Sequence, residues 1–304
     1  MTEHLASVTT EVAAATPKAA VRPPATGVGA GPARAPRYAF DRPRFLAFFT
    51  GLVFVYLFAP ILVVFWFSFN SKRSLQVFGH FSLFWYDRLI HDRAVTSSLV
   101  VSLEIALLTM VAATSIGTLL AFGLVRAESR ANRPTEVLML LNLVTPEIAT
   151  GIAFLLLFSR LAITLSMWTV VIGHITFSIA YVTIIVRGRL VSMNREVEEA
   201  ALDLGASHID AVRLVTLPLL WPAILASGML VFVMSFDDFV TSFFTTGVGD
   251  QPLPLRIWSM IRFGVTPEIN AVGTLVMVIT ITVVLAALAV YSRQQKARLA
   301  FLAE

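Results

Sequence analysis

The residues best suited to chemistry in this sequence are ionisable side chains that interrupt long apolar stretches. They are Glu104, Glu147, His174, Asp237 and Asp238. If those stretches cross a membrane, each charge costs about 2.5–3.5 kcal/mol there, so each position is a candidate functional site. The chain has five histidines and no cysteine. These counts leave little for metal chemistry, so we expect no metal site, and they make a disulfide impossible. No His-Glu-x-x-His or Gly-x-Ser-x-Gly motif is present in the sequence, and we expect no catalytic residue and no bound cofactor.

The most informative of these candidates is the pair Asp237-Asp238, which Phe236 and Phe239 flank. Consecutive side chains on a helix point about 100° apart. We therefore expect one carboxylate to face a pore and the other to face a neighbouring helix or an outer loop. Carboxylates attract cations, and aromatic rings offer cation–π faces. The segment thus favours a path for a cationic solute, although both aspartates could instead brace a helix end.

Glu147 follows Pro146 in the middle of another apolar stretch. Because a proline inside a helix frees a carbonyl group and bends the helix, this pair predicts a gate or hinge on the same path. A kinked packing site, with Glu147 bonded to a neighbouring helix, is the alternative. We expect Glu104 in the outer leaflet, and His174 as a packed side chain bonded to a backbone or hydroxyl group.

The elements that position these residues are membrane spans. Hydrophobic residues make up 57% of the 304 residues and charged residues only 14%, against about 25% charged in a soluble domain. A span needs about 20 mostly apolar residues, and in lipid it must be helical. The sequence therefore predicts an all-α membrane protein with six transmembrane helices. The predicted spans are 45–67, 97–122, 136–158, 167–186, 222–246 and 269–291.

The chain ends and the loops set the predicted domain organisation. Residues 1–44 are rich in Ala, Pro, Thr and Arg, so we expect a disordered cytoplasmic tail. The membrane domain follows over 45–291, and a short cytoplasmic tail over 292–304. Sixteen of the 23 Lys and Arg residues lie on the side of the N-terminus. By the positive-inside rule both termini and the 187–221 loop are cytoplasmic.

That cytoplasmic loop carries a spaced pattern of charged and small residues. Carboxylates gather where a helical stretch begins, and each favours the positive end of the helix dipole by roughly 0.3–1 kcal/mol. Small alanines then give a compact surface suited to docking in a groove of another protein. The carboxylates are Glu196, Glu198 and Glu199, and the pattern is Glu199-Ala200-Ala201, Gly205 and Val215-Thr216-Leu217-Pro218.

Local signals divide this loop into two short helices. Gly205 can adopt positive φ and end the first helix. Ser207 is a good N-cap for a second helix that reaches about Val215. We expect Pro218 to stop the second helix and Pro222 to start the next span.

The spaced pattern resembles the cytoplasmic EAA loop of type I ABC importer permeases, with similarity over roughly residues 95–291. The resemblance implies a MetI-like fold in the bacterial inner membrane, a cytoplasmic ABC ATPase dimer, a second homologous permease and an extracytoplasmic substrate-binding protein. ATP and Mg would bind to the ATPase, since this sequence has no Gly-x-x-x-x-Gly-Lys-Ser/Thr motif. The residues implied to couple to the ATPase are Glu199, Ala200, Ala201, Gly205, Leu217 and Pro218.

Other segments are similar to the second permease subunit of spermidine/putrescine importers. This resemblance implies a small cationic cargo of the polyamine class, such as spermidine or putrescine. The residues expected to line its path are Asp237, Asp238, Glu147, Phe236 and Phe239. Importers of ferric ion, thiamine or organophosphonates share much of the scaffold and stay open as alternatives, as does an ion-coupled secondary transporter. The similar segments are Ser235–Phe239, Leu253–Leu255, Arg262–Ala271 and Thr145–Ile148.

Overall fold

The computed structural model describes residues 44–74, 76–127, 129–264 and 266–303. The N-terminal tail expected over 1–44 lies outside the described residues, except for Arg44. Within the described ranges the regular structure is helical, apart from one isolated antiparallel bridge between Asn70 and Phe81. This architecture confirms the predicted all-α class.

The described part of the chain contains twelve α-helices and one π-helical turn, Val212–Thr216. Compactness divides the chain into two units, Met1–Val55 and Tyr56–Glu304. Of the first unit the structure describes residues 44–55, which are the first part of helix α1; the rest of α1 and the other helices belong to the second unit. The helices are α1 Arg44–Phe67, α2 Phe84–His91, α3 Arg93–Arg126, α4 Asn132–Val144, α5 Glu147–Arg160, α6 Met167–Val191, α7 Glu196–Asp203, α8 His208–Ala211, α9 Leu217–Phe236, α10 Val240–Thr245, α11 Leu253–Arg262 and α12 Pro267–Ala303.

Five helical stretches in the described residues are long and apolar enough to cross a bilayer, or six if the bent pair α4–α5 counts as one span. The predicted number of spans is therefore met only with the bent pair. The helix α12 continues to Ala303, so the C-terminal tail predicted from residue 292 is helical up to that residue. The five stretches are Phe45–Phe67, Arg93–Arg126, Met167–Val191, His208–Phe236 and Pro267–Ala289.

The span expected over 136–158 is not one continuous helix. α4 and α5 meet at an angle of 109° across Thr145 and Pro146. Proline cannot donate a backbone hydrogen bond, and it pushes the preceding residue out of the helical region. Thr145 accordingly has ψ of 130°, and Pro146 becomes the N-cap of α5. The predicted bend at Pro146 is confirmed, and it is sharp enough to break the helix.

The span expected over 222–246 also has different limits. The helical stretch begins earlier, at His208, and ends at Phe236. A short break over 237–239 then separates α9 from α10. Aspartates compete with helical hydrogen bonds through their side chains and favour helix ends, which is consistent with the break at Asp237-Asp238.

The core of the second unit lies where α3 packs against α6 and α9. Small residues on α3, among them Ala113, Gly117 and Ala121, are buried in this interface. A Cβ atom on Gly117 would lie 2.7 Å from Cβ of Val182. Thr183 on α6 donates a hydrogen bond of 3.2 Å to the Gly117 carbonyl oxygen. Small residues thus let the two helices approach closely, as is common between helices in membranes.

Candidate functional site

The segment between α6 and α9 contains the predicted short helices. α7 has three carboxylates in its first turn, and its C-cap Leu204 precedes Gly205. Gly205 has φ of +91°, as the sequence predicted. Ser207 accepts a hydrogen bond of 3.2 Å from the backbone N–H of Asp210 and caps α8, which confirms its predicted role.

The end of this segment differs from the prediction. Instead of stopping at Pro218, the helical path continues from α8 through the π-helical turn into α9. Pro218 lies in the first turn of α9, where the missing N–H of proline is harmless, and Pro222 lies inside α9 rather than at its start. The second short helix is therefore directly continuous with a candidate span.

A three-residue cluster joins this segment to α3. The guanidinium of Arg126, the last residue of α3, contacts the carboxylate of Glu198 in α7. The hydroxyl of Thr216, which is fully buried, donates a hydrogen bond of 2.9 Å to the same Glu198 oxygen. The sequence did not reveal this cluster: Thr216 lies within the spaced pattern, but its contact with Glu198 and that of Arg126 join residues far apart in the chain.

The predicted coupling residues present an accessible surface. Glu199, Ala200 and Gly205 are exposed, and so are Leu217 and Pro218, while Ala201 is half-buried. Three apolar side chains of this segment are exposed as well: Leu204 by 90%, Ile209 by 78% and Leu214 by 69%. Exposed apolar patches are typical of a surface that another protein or a membrane covers.

A second feature is a cavity of about 370 Å³ beside the break between α9 and α10. Glu147 reaches it from the first turn of α5, and Asp237 and Asp238 reach it from the break. Phe177 and Tyr181 of α6 form an aromatic part of the wall. The structure thus brings together three of the acidic residues that the sequence singled out, and it adds two aromatic residues that the sequence did not.

The two predicted phenylalanines have different surroundings. Phe239 lines the cavity, and its ring lies 5.4 Å from the ring of Trp258. Phe236 is only 2% exposed and stacks on Phe232 in the hydrophobic core. Both phenylalanines also border a separate, largely apolar cavity of about 260 Å³. The core position of Phe236 follows from its place in the last turn of α9, on the face that packs inward.

The two aspartates also differ in their environment. The Asp238 side chain is 9% exposed and lies 3.1 Å from Nε2 of His174. Asp237 is the C-cap residue of α9 and is exposed at the cavity. His174 is fully buried, and its Nδ1 lies 2.7 Å from the hydroxyl of Ser235. This contact confirms the prediction of a packed histidine bonded to a hydroxyl group.

Five or six helices able to cross a bilayer are typical of a polytopic membrane protein. The sequence profile described as "Binding-protein-dependent transport system inner membrane component" matches residues 113–298. The chain therefore belongs to this family, and it is a permease subunit of an ABC importer in the inner membrane.

Individual relatives agree with this assignment. The chain is 38% identical over 233 residues to the putrescine transport system permease protein PotI of Escherichia coli K12. This alignment covers 74% of this chain and 83% of PotI. The chain is also 35% identical over 236 residues to the spermidine/putrescine transport system permease protein PotC of Haemophilus influenzae. That alignment covers 78% of this chain and 92% of PotC. The chain is similar to a family of transport subunits, not of enzymes.

Solved structures show the same fold at lower identity. A bacterial ABC transporter involved in the import of the acidic polysaccharide alginate has a TM-score of 0.63 and 18% identity, covering 85% of this chain and 99% of that chain. An amino acid ABC transporter has a TM-score of 0.56 and 16% identity, covering 69% and 98%. These matches agree with the MetI-like fold of ABC importer permeases that the resemblance implied.

Proposed function

We propose that this chain forms half of the translocation pore of an ATP-driven polyamine importer, with a second homologous permease forming the other half. The observation that carries the proposal is the cavity where Glu147 and Asp237 meet an aromatic wall. Relatives named for putrescine and spermidine transport support the same cargo class. In the membrane we place both chain ends and the 187–221 loop on the cytoplasmic side.

The chemistry of the cavity suits a flexible chain with several ammonium groups. Two carboxylates, Glu147 and Asp237, attract ammonium groups, and the rings of Phe177, Tyr181 and Phe239 provide cation–π contacts of about 0.5–2 kcal/mol each. Such contacts are individually weak, so the cargo can leave one before it reaches the next. Transport requires this balance, because a deep cation cage would hold the cargo in the pore.

Energy for transport comes from a cytoplasmic ABC ATPase dimer, which binds ATP and Mg. The ATPase binds the surface formed by Glu199, Ala200, Ala201 and Gly205, together with Leu217 and Pro218 at the start of α9. The open side chains of Leu204 and Ile209 fit a hydrophobic groove on that ATPase. Since α8 is continuous with α9, a displacement of this surface reaches the cavity along a single helical path.

An extracytoplasmic binding protein delivers the cargo and supplies most of the selectivity. Among the alternatives, an organophosphonate is anionic and would be repelled by Glu147 and Asp237. Ferric ion prefers hard oxygen ligands, whereas much of the cavity wall is aromatic, which suits an ammonium group better. Thiamine, being cationic, is the cargo that the cavity discriminates against least.

The cargo is tested by purifying the intact complex from native membranes and identifying its subunits by mass spectrometry. ATPase activity of the reconstituted complex is then measured with the co-purified binding protein and each candidate solute. We expect stimulation by spermidine or putrescine and none by ferric ion or an organophosphonate. Stimulation by thiamine alone would overturn the polyamine assignment and leave the permease role intact.

A further inference from the structure

The break between α9 and α10 is tied to α6 by a buried hydrogen-bond cluster. His174 of α6 is fully buried, and it contacts residues on both sides of the break. Its Nδ1 lies 2.7 Å from Oγ of Ser235, in the last turn of α9. Its Nε2 lies 3.1 Å from Oδ2 of Asp238 and 3.2 Å from Oγ of Ser242, in α10. One imidazole therefore touches α9, the break and α10.

The hydrogen-bonding roles in this cluster follow from the carboxylate. The ionised carboxylate of Asp238 can only accept, so Nε2 of His174 carries the proton, and Nδ1 accepts from the hydroxyl of Ser235. The same oxygen of Asp238 also accepts a hydrogen bond of 2.9 Å from the backbone N–H of Ser242. Asp238 thus accepts from a backbone N–H in the first turn of α10 and binds α6 through a single oxygen atom.

Asp237 has a different environment although it is the adjacent residue. It is exposed at the cavity that also contains Glu147. Within the described ranges no other side chain donates a hydrogen bond to its carboxylate. Its negative charge is therefore available to a ligand, whereas the carboxylate of Asp238 is occupied by protein groups.

We infer that His174 and Asp238 are positioning residues that hold the break between α9 and α10 against α6, and that of the two adjacent aspartates only Asp237 contacts the cargo. The part of this inference that concerns Asp237 rests on the proposed transport of a cation. The part that concerns His174 and Asp238 does not, because it follows from contacts within the chain. A buried histidine that loses its partner leaves polar groups unsatisfied, so the break would shift and carry Asp237 with it.

The inference predicts that asparagine can replace aspartate at one position and not at the other. At 238 both contacts use one oxygen, and the carbonyl oxygen of asparagine can accept them both. Where charge attracts the cargo, as at 237, asparagine has no advantage over alanine. The pair of substitutions at each position therefore separates a role in hydrogen bonding from a role in charge.

The test uses the complete transporter in proteoliposomes, with labelled spermidine and the loaded binding protein. Maximal uptake per assembled complex should be at least fivefold higher for Asp238→Asn than for Asp238→Ala, and His174→Ala should resemble Asp238→Ala. Asp237→Asn and Asp237→Ala should agree within about twofold, and both should lie well below the unmodified protein. The apparent affinity for the loaded binding protein should not change in any of these variants, because the substituted side chains lie in the buried cluster and at the cavity.

Each outcome decides one part of the inference. If Asp238→Asn is as impaired as Asp238→Ala, the charge of Asp238 is required and the positioning role is wrong. If Asp238→Ala fails to assemble, recovery of assembly in Asp238→Asn supports positioning, and failure of both overturns it. Normal uptake by both Asp237 variants, with the expected pattern at 238, would refute the cation role of Asp237 and leave the positioning role standing.

Discussion

Arg126 and Glu198 are 72 residues apart in sequence, yet their side chains form an ion pair between the end of α3 and the first turn of α7. Thr216 donates to the same Glu198 oxygen from the π-helical turn before α9. The exposed segment is thus attached both to α3 and to the helical path that leads into α9. In the proposed importer this cluster transmits ATPase motion to two spans at once.

This cluster predicts a loss of coupling when its charge is removed. Glu198→Gln keeps an acceptor for Thr216 and loses the ion pair with Arg126. The pair is partly exposed, with side-chain exposures of 36% and 16%, so its contribution is about 1 kcal/mol or less. We expect cargo uptake per ATP hydrolysed to fall about threefold at unchanged protein level in the membrane.

A double-mutant cycle makes this prediction specific. Arg126→Gln should have a similar effect, and the double variant should be no worse than either single variant, because both remove one interaction. Glu196→Gln is the matched control, since Glu196 is exposed and bonds only locally to Asn194. Additive losses in the double variant would show that Arg126 and Glu198 act independently.

The positive φ of Gly205 predicts a second effect on coupling. Alanine at φ of +91° is strained by about 1–2 kcal/mol, so Gly205→Ala should reorient α7 relative to α8. Asparagine tolerates positive φ better than other non-glycine residues, so Gly205→Asn is the matched variant. We expect ATP-driven uptake in the order glycine, asparagine, alanine. Equal uptake by all three proteins would mean that this turn does not set the docking geometry.

Close packing at Gly117 predicts an effect on stability. In Gly117→Ala the added methyl group would meet Val182 at 2.7 Å and the Ile179 carbonyl oxygen at 3.1 Å. Overpacking costs about 1–3 kcal/mol, which exceeds the gain of about 1 kcal/mol from helix propensity. Thermal unfolding of the purified complex in detergent should therefore occur at a lower temperature.

The control for this prediction lies on the same helix. Gly123 has no atom within 4 Å of an added Cβ, so Gly123→Ala gains helix propensity without a clash. Its unfolding temperature should equal or exceed that of the unmodified protein. If Gly117→Ala is as stable as Gly123→Ala, the close approach of α3 and α6 is not required for stability.

Local signals in the sequence predicted the parts of the structure that depend on neighbouring residues. Gly205 and Ser207 ended and began helices as expected, because a positive φ and a side-chain cap act within one turn. Pro146 bent its span for the same local reason. The predicted roles of Pro218 and Pro222 as helix boundaries were wrong, because both prolines lie within one helical stretch that begins at His208.

Long-range contacts explain the rest of the differences. The limits of α9 and α10 follow the cluster around His174, whose partner Asp238 lies 64 residues away. The apolar pattern of the sequence could not reveal the break between α9 and α10, because residues 222–246 form one continuous, mostly apolar stretch. The same limit applies to Phe236, because its sequence position beside Asp237 did not reveal that its ring stacks on Phe232 in the core.

The coupling role is tested most directly by labelled spermidine uptake into vesicles that hold either this chain alone or the whole complex. The complex with ATP and loaded binding protein should accumulate spermidine, and uptake should stop without ATP or with Gly205→Pro. Vesicles containing only this chain should accumulate none. Concentrative uptake by this chain alone, driven by a proton or sodium gradient, would contradict the role of an ATPase-driven permease.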